Sequence, residues 1–413
     1  MKVIVVNYRY FVAGGPEKYM FKFIDAAKKR GIEIIPFSVK NPRNESTIYS
    51  EYFANPRADA LDYADTKMTL KNLFGIFRAT VWNYDAEKKL RKLIRDTKPD
   101  AIYVLHEINH LSPSVIRAAT KENVKVVHRI SDFFMFCPKY DFLCENNICE
   151  SCLHGNYSKA IKMKCVKNSK SGTILRVLAM KLYSFLKIFD EVDKYICTCE
   201  FSKQKLIQGG IESDKISCVP TFIDSSKIKP NYEHDKYFLF LGRMAHQKGV
   251  IYAVEAMKYL KDTEYVLKIT GDITDSPYDR EILKCIKDNQ LEDKIIFTGF
   301  KQGKELDNII SMSTCVLCPS IWYENMPNTV IESYSYGKPV IASNIGSLAE
   351  IVIDGETGFL FEIKNSKDLA DKLNKFINDD SLSAKLGKNS RIRCENIYSV
   401  DNHMNKVISI LEG

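Results

Sequence analysis

The sequence lacks any run of about 20 consecutive apolar residues, the length that a helix needs to span a bilayer. Its longest candidate, residues 173–189, is interrupted by Arg176, Lys181 and Lys187. The pattern of a signal peptide is also missing, because a strand-like run at 2–7 stands where a basic start, an apolar stretch and a small-residue cleavage site would be needed. These absences predict a cytoplasmic protein with no membrane-spanning helix.

Other absences exclude further classes of protein. The sequence has no G-x-G-x-x-G fingerprint, which disfavours a dehydrogenase, and it has neither an internal repeat of solenoid period nor a nucleic-acid motif. Low-complexity disorder is excluded because 45% of the 413 residues are apolar. The 60 Lys and Arg residues exceed the 52 Asp and Glu residues by only 8. This mild excess favours anionic ligands such as phosphates, nucleotides or an acidic membrane surface.

Short apolar runs rich in β-branched residues alternate with longer helical patterns, which is typical of βα units in parallel sheets. The strand-like runs are 3–6, 33–37, 101–105, 125–128, 194–197 and 216–219 in the first half, and 237–241, 265–270, 294–298, 315–318 and 339–342 in the second. A polar, aperiodic stretch at 224–235 is the predicted hinge. We therefore predict an α/β fold with two Rossmann-like domains, 1–224 and 225–395, that face each other across a ligand cleft, and a terminal helix within 396–413.

The most informative segment, residues 324–342, predicts a helix whose N-terminus is surrounded by polar residues. The segment follows the predicted strand 315–318, and its helix is predicted to begin at about Pro327 or Asn328. Gly337 is expected to end that helix, because glycine adopts the left-handed conformation at least cost. Free backbone N–H groups and the helix dipole make such an N-terminus a natural seat for a phosphate.

Two carboxylates flank this helix N-terminus. Glu324, in the preceding loop, could accept hydrogen bonds from sugar hydroxyls, and Glu332, on the helix, could hold a ribose diol. Candidate substrate-binding residues lie between them; they are Asn325, Met326, Pro327 and Asn328. An acidic pair taken alone would more often belong to a solvated surface.

Two cations follow the end of the predicted strand 237–241. Arg243 and Lys248 could grip a diphosphate, arginine as a planar fork and lysine as a point charge, and could stabilise the charge of a leaving group without a metal. The alternative is a pair of basic residues in a solvated loop. In the first half, Gly14 and Gly15 form a turn after the first strand that allows close approach of a ligand phosphate or sugar to the backbone.

These three features, in this order, resemble glycosyltransferase family 4, a family of retaining enzymes with the GT-B fold. The resemblance covers nearly the whole chain, and its most specific part is the E-x7-E pair followed by Gly-Lys-Pro-Val-Ile-Ala at 337–342. It implies that Glu324 contacts the donor sugar, Glu332 the nucleotide ribose, and Arg243 with Lys248 the diphosphate. It also implies that the Gly14-Gly15 loop lies under the donor phosphates and that the terminal helix, 400–411, crosses back to the first domain.

One position departs from the family pattern. Ser131 stands where many relatives have a histidine, directly before Asp132, and that histidine is usually assigned contacts near the reacting sugar. Its role here is absent, changed, or taken by His128 or His106. His106, at the end of the predicted strand 101–105, is expected to face the cleft, and the sequence is equally compatible with a structural role.

Five of the 12 cysteines are clustered between residues 137 and 165. A C-x2-C pair with two further cysteines nearby can form a tetrahedral zinc site, for which Cys144, Cys149, Cys152 and Cys165 are the candidates. Free thiols and a redox or disulfide role are the alternatives in a reducing cytosol. We expect no cofactor in catalysis, and a catalytic metal is not expected.

The basic segment 159–187 carries apolar residues at helical spacing from Ile174 onward. It predicts either contact with an anionic membrane or an ordinary solvated helix. By resemblance, the protein is a hexosyltransferase that moves a sugar from a nucleoside-diphosphate donor to a hydroxyl acceptor, saccharide or lipid-linked, in surface polysaccharide or glycolipid synthesis. The alternatives are a nucleotide-sugar epimerase, a sugar phosphorylase and a non-catalytic nucleotide-sugar-binding subunit.

Overall fold

The computed structural model describes residues 1–56, 75, 80–108 and 110–413. Its strands, in chain order, are β1 (Lys2–Asn7), β2 (Glu33–Phe37), β3 (Ala101–His106), β4 (Lys125–Arg129), β5 (Leu143–Cys144), β6 (Asn147–Ile148), β7 (Lys194–Cys197), β8 (Ile216–Cys218), β9 (Tyr237–Leu241), β10 (Val266–Thr270), β11 (Ile295–Phe297), β12 (Cys315–Cys318), β13 (Val340–Ser343) and β14 (Gly358–Phe361). Its α-helices are α1 (Gly15–Lys29), α2 (Tyr84–Thr97), α3 (Ser114–Thr120), α4 (Ser158–Lys162), α5 (Lys170–Phe185), α6 (Glu200–Gln208), α7 (Val250–Ala256), α8 (Pro277–Asp288), α9 (Lys304–Ser311), α10 (Asn328–Ser335), α11 (Leu348–Ile351), α12 (Ser366–Asn378), α13 (Ser381–Ile397) and α14 (Val400–Glu412).

Twelve of the described strands form two six-stranded parallel sheets, and β5 pairs with β6 in a separate antiparallel hairpin. The first sheet has the order β2-β1-β3-β4-β7-β8, and the second has the order β11-β10-β9-β12-β13-β14. The predicted hinge, 224–235, lies between the last strand of the first sheet and the first strand of the second. The predicted fold class, two Rossmann-like parallel-sheet domains, is therefore confirmed. The sequence reading missed β14 and the two-residue strands of the β5-β6 hairpin.

Each sheet is covered by helices on both faces, because its strands are apolar on both faces. In β1, for example, Val3 and Val5 pack toward one core cluster, while Ile4 and Val6 pack toward another. The alternation follows from the period of two in strand side chains. Both faces of the sheet must therefore be covered, and the strand ends are the places left for polar residues.

Helix α14 crosses back from the second domain to the first. Its Met404, Val407 and Leu411 are buried in the core cluster that also contains Val3. The Lys125 ammonium group, on β4, donates a hydrogen bond to the Ile410 carbonyl at 2.6 Å. The crossover that the family resemblance implied is therefore confirmed. Among the described residues, no helix combines the length and the apolar character needed to cross a membrane.

Candidate functional site

The carboxyl-terminal strand ends of the two domains meet at a cleft. Helix α1 begins in the loop after β1, where Gly14 is the N-cap and Pro16 stands in the first turn. On the other side, α10 begins after β12 with Pro327 as its N-cap. A side-chain carbon added to Gly15 would lie 3.5 Å from the Asn328 amide nitrogen, so the two loops are in close contact. The Gly14-Gly15 turn and the N-terminus of α10 thus face each other across the domain interface.

A cavity of about 110 Å³ lies between these two loops. Its walls are formed by Gly15, Pro16, Tyr19, Arg129, Ser131, Thr198, Thr221, Asn325, Met326 and Asn328. Pro327 supplies no side-chain cap to α10. The first N–H groups of that helix are therefore not occupied by a capping side chain, and its positive end is suited to an anion.

Glu324, which is buried, forms an ion pair with the partly exposed Lys248. The Lys248 ammonium nitrogen is 2.6 Å from Glu324 Oε1, and the same oxygen accepts hydrogen bonds from Ser320 Oγ at 2.8 Å and from Trp322 Nε1 at 2.7 Å. Burial raises the pKa of the Glu324 carboxyl, but the attraction of Lys248 and these hydrogen bonds lower it more, so the net pKa lies below its ordinary value. The carboxylate is therefore ionised at neutral pH. The sequence assigned the two residues to different parts of the donor, and the structure brings them together.

Arg243 is exposed, in contrast to Lys248. Its charge acts on Tyr140, a residue of the first domain, where it opposes the increase in the tyrosine pKa that burial causes. Within the described part of the chain, the Arg243 guanidinium forms no ion pair. It is therefore positioned at the domain boundary with its charge available to a ligand.

Glu332 faces a second, larger cavity of about 460 Å³. The cavity lies between the domains, since Lys18 and Lys22 of α1 line it together with Leu306 and Tyr336 of the second domain. Glu332 stands one turn after the N-terminus of α10. The E-x7-E spacing thus places one carboxylate in the ion pair near the start of the helix and the other in a neighbouring cavity.

Asn325 joins the two domains. Its Nδ2 donates to the Ile130 carbonyl at 2.7 Å, and its Oδ1 accepts from Ser202 Oγ at 2.8 Å. The Thr198 hydroxyl lies 2.8 Å from the Asn325 backbone oxygen and 2.9 Å from Oδ1. The next residue, Met326, accepts a hydrogen bond from the Thr221 N–H at its sulfur, at 3.0 Å. Both residues are interdomain contacts and also line the 110 Å³ cavity, and their role in substrate binding stays a prediction.

A second contact of the same kind involves Glu350. Its two carboxylate oxygens accept hydrogen bonds from the backbone N–H groups of Glu200 and Phe201 at 2.9 and 3.0 Å, at the N-terminus of α6. A carboxylate is favourable there because it satisfies free N–H groups and meets the positive end of the helix dipole. The second domain thus caps a helix of the first.

The candidate histidines lie outside the 110 Å³ cavity. His106 Nε2 is 3.4 Å from Asp132 Oδ2, and its ring meets the Tyr8 ring edge-on at 5.0 Å. Burial lowers the His106 pKa, but Asp132 and nearby carboxylates raise it more, so that it lies above its ordinary value. His128 is buried with Nε2 3.2 Å from Glu107 Oε2. Both histidines therefore pair with carboxylates of their own domain.

The sequence reading missed Arg129, the last residue of β4, which lines the cavity. The signal available was a charged residue directly after the predicted strand 125–128, two positions before Ser131. It was not decisive, because strand ends often carry solvated charges.

The cysteine segment also contacts the second domain. Tyr323 donates its hydroxyl to Glu150 at 2.6 Å, and Lys364 donates to the Asn146 carbonyl and to Asn147 Oδ1, both at 2.8 Å. The β5-β6 hairpin and the residues after it therefore bridge the cleft at its side.

The four candidate zinc ligands belong to this segment. Burial raises the pKa of Cys165, and the nearby Cys144, Cys137 and Cys149 thiols raise it further. Burial is also the main cause that raises the pKa of Cys152, to about 12. Across the described ranges, no group of three or more His, Cys, Asp or Glu side chains is arranged to hold a metal ion. The zinc site stays a prediction.

Comparison with known proteins gives two family matches that together cover most of the chain. Residues 13–227 match the model of Glycosyltransferase Family 4, and residues 222–393 match the model of Glycosyl transferases group 1. An uncharacterized glycosyltransferase of Methanocaldococcus jannaschii is 30% identical over 210 residues, which are 51% of this chain and 56% of the relative. The UDP-Gal:α-D-GlcNAc-diphosphoundecaprenol α-1,3-galactosyltransferase of Escherichia coli is 26% identical over 275 residues, 62% of this chain and 66% of the relative.

The chain therefore spans between about half and two thirds of the length of these relatives. Among solved structures, HepE of Anabaena in complex with UDP and glucose superimposes with a TM-score of 0.67 at 15% identity, and the match covers 99% of both chains. At this identity, the superposition shows a common fold for the whole chain.

Proposed function

Since this chain belongs to glycosyltransferase family 4 and has the GT-B fold, we propose that it transfers a hexosyl group from a nucleoside-diphosphate sugar to a hydroxyl acceptor, with retention of anomeric configuration. One observation carries the proposal: Glu324 and Glu332 flank the uncapped N-terminus of α10, which opens on the cavity between the two domains. Glu324 could contact the donor sugar, the N-terminus of α10 the phosphates, and Glu332 the ribose.

The diphosphate would lie at the N-terminus of α10, over the Gly14-Gly15 turn. Free N–H groups and the helix dipole favour negative charge there. Arg243 and Lys248 would add two cations on the donor side, and together these groups would stabilise the charge that develops as the nucleoside diphosphate leaves. No step requires a metal in this scheme.

Glu324 is better suited to binding than to nucleophilic attack. Its Oε1 already interacts with Lys248, Ser320 and Trp322, which hold the carboxylate in place and reduce its nucleophilicity. The double displacement of retaining glycosidases needs a free carboxylate beside the reacting carbon. We therefore favour front-face attack, in which the leaving phosphate accepts the proton of the acceptor hydroxyl while the closed domains exclude water.

The acceptor is proposed to be a saccharide or a lipid-linked sugar in surface polysaccharide or glycolipid synthesis. A relative from Escherichia coli is named for an acceptor linked to diphosphoundecaprenol. We propose that helix α5 contacts the cytoplasmic face of a membrane. Its Leu178 and Phe185 are 57% and 83% exposed, and the same helix carries Lys181. A basic amphipathic helix of this kind binds anionic lipid surfaces.

The test is a turnover screen by mass spectrometry with UDP-, GDP-, ADP- and dTDP-sugars, with and without lipid-linked and soluble acceptors. We expect one donor class to be bound and slowly hydrolysed, and Glu332→Ala and Arg243→Ala to lose this activity. Glu264→Ala, in an exposed ion pair with Lys236, is the matched control and should leave it unchanged. Binding of no sugar nucleotide would overturn the proposal.

The products separate the remaining alternatives. An altered donor without an acceptor would indicate an epimerase, and release of a sugar phosphate would indicate a phosphorylase. Tight donor binding without turnover on any acceptor would indicate a binding subunit.

A structural zinc ion on Cys144, Cys149, Cys152 and Cys165 is a separate proposal that involves no catalytic step. The proximity of these thiols supports it, since thiolates bind zinc well. Elemental analysis of the purified protein tests it: one zinc per chain, lost in Cys149→Ser, is expected, and a zinc-free folded protein would overturn it.

A further inference from the structure

Arg129 places a buried positive charge at the floor of the interdomain cavity. The residue is 5% exposed, and its guanidinium lies over the Tyr19 ring at 3.9 Å from the ring centre. Its Nη2 donates to Thr221 Oγ1 at 2.8 Å, and its Nη1 donates to Ser131 Oγ at 3.3 Å. The buried Nε has no hydrogen-bond partner. A guanidinium has five N–H donors, and the Nε–H of Arg129 is therefore an unused donor.

No described carboxylate forms an ion pair with Arg129. The titratable groups whose pKa the Arg129 charge lowers are Tyr19, Tyr103 and His403. Burial, together with the nearby Arg129 charge, lowers the His403 pKa to about 3, so this histidine is neutral at physiological pH. The hydroxyls of Thr221 and Ser131 are dipoles rather than counter-charges. A buried cation without a counter-ion is costly, and an anionic ligand would remove that cost.

The cavity above Arg129 is suited to such a ligand. Its opposite walls are the Gly15 backbone and Asn328, at the N-terminus of α10, which favours negative charge. Its volume, about 110 Å³, has room for a phosphoryl or a carboxylate group and not for a nucleoside. Two independent sources of positive potential, from opposite domains, therefore act on one small space.

Accepting the function proposed above, we propose that Arg129 binds an anionic oxygen group of the sugar-nucleotide donor in this cavity. Two parts of a donor carry such a group. One is the diphosphate, and the other is the carboxylate of an acidic sugar, a hexuronate. In both cases the free edge of the guanidinium donates to the anion, while Thr221 and Tyr19 hold its plane in position.

Calorimetric titrations distinguish the two sources. The first arm compares the wild type, Arg129→Lys and Arg129→Gln with UDP, GDP, ADP and dTDP. The second arm compares hexose and hexuronate donors of the nucleotide that binds, for example UDP-glucose and UDP-glucuronate. The matched control is Arg176→Gln, which removes another buried guanidinium, stacked on Phe134 at 4.6 Å.

If the diphosphate is the bound group, Arg129→Gln should weaken nucleoside-diphosphate binding by about 10- to 100-fold, the range for a charge-assisted contact, and Arg129→Lys by less. If the sugar carboxylate is the bound group, nucleoside-diphosphate affinity should stay unchanged, and the wild type should prefer the hexuronate by about tenfold or more, a preference that Arg129→Gln removes. Arg176→Gln should change neither quantity. Wild-type behaviour of Arg129→Gln in both arms overturns the inference.

Two further measurements keep the result interpretable. Should Arg129→Gln fail to fold, Thr221→Val keeps the charge but removes the 2.8 Å hydrogen bond, and a smaller loss in the same arm is expected. Should the wild type bind no sugar nucleotide, the proposed function fails by itself. Inorganic pyrophosphate and glucuronate then probe the cavity, where binding that depends on Arg129 supports the inference and absence of binding overturns it.

Discussion

The Lys248 ammonium group lies 2.6 Å from the Glu324 carboxylate, although the two residues stand 76 positions apart and come from loops after different strands. The lysine is partly exposed and the glutamate buried, with side-chain exposures of 23% and 8%. Glu324 therefore holds the lysine in a fixed orientation before a donor diphosphate arrives.

We expect Lys248→Met to be more damaging than Glu324→Gln for stability. The lysine variant leaves a buried carboxylate without its partner, which costs about 3–5 kcal/mol, whereas glutamine keeps the hydrogen-bonding shape without a charge. Urea unfolding at pH 7 measures the difference. Both variants should also lose activity. The control is Lys372→Met, because Lys372 is about as exposed as Lys248, at 22% against 23%, whereas its partner Asp368 is 30% exposed and Glu324 only 8%. Equal stability of Lys248→Met and the wild type would contradict the ion pair of the buried Glu324.

His403 should make the protein sensitive to mild acid. Its pKa is lowered to about 3 by burial and by the nearby Arg129, so the unfolded chain takes up a proton below about pH 6.5 and the folded chain does not. The free energy of unfolding should therefore fall as pH decreases from 6.5 toward 3, by about 1.4 kcal/mol per pH unit from this group. Urea unfolding at pH 7 and pH 5 tests this expectation.

In His403→Gln, this part of the pH dependence should disappear, whatever the absolute stability of the variant. His154→Gln, which changes an exposed histidine, should retain it. Identical slopes in the wild type and His403→Gln would show that His403 is not buried in the neutral form.

Asn325→Ala should loosen the closed arrangement of the domains. The substitution removes the Nδ2 and Oδ1 contacts to Ile130, Thr198 and Ser202, each of which crosses the cleft. Small-angle scattering should show a larger radius of gyration, and kcat should fall more than donor affinity, because closure follows binding. Asn389→Ala, which removes a surface contact within the second domain, should change neither. A compact Asn325→Ala with normal kcat would exclude a role in closure.

Gly249→Ala should distort the site from within the second domain. Gly249 has φ of 67°, and an added Cβ would lie 1.9 Å from the Pro319 carbonyl oxygen, so both the backbone conformation and the space exclude a side chain. The loop that carries Lys248 would then be pushed from the loop that leads to Glu324. Gly31→Ala is the control: it shares the positive φ, 73°, and has open space around it.

The expected cost of Gly31→Ala is about 1–2 kcal/mol of unfolding free energy from the left-handed conformation alone. Gly249→Ala should cost more and should abolish activity. Thermal or urea unfolding of the two variants side by side gives the comparison, and equal losses would mean that the Pro319 contact relaxes without consequence.

Membrane contact through α5 can be tested with vesicles. We expect the protein to sediment with vesicles that contain phosphatidylglycerol at low salt and to be released at high salt, because the lysine attraction is screened. Leu178→Ser with Phe185→Ser should reduce binding, while Ile392→Ser, at an exposed apolar position of the second domain, should not. Failure of the wild type to sediment at low salt would exclude this surface as a membrane contact.

The sequence by itself was sufficient for the architecture and for the bounds of the helix at the candidate site. Strand and helix periods are local properties, so alternating βα units and the hinge at 224–235 could be predicted from neighbouring residues. The start of α10 at Asn328 and its termination before Gly337, which has φ of 72°, follow from proline and glycine chemistry within a few positions. The E-x7-E spacing was sufficient to place Glu332 on α10.

Only the tertiary structure decided the partners of these residues. The pairing of Lys248 with Glu324, the interdomain contacts of Asn325 and the burial of Arg129 without a counter-ion depend on how loops from distant strands and from two domains come together. A sequence pattern shows which chemical groups are present and on which helix, strand or loop they lie. The distance between two side chains is fixed by packing across the cleft, because hydrogen bonds and ion pairs require approach within about 3 Å, which no local period encodes.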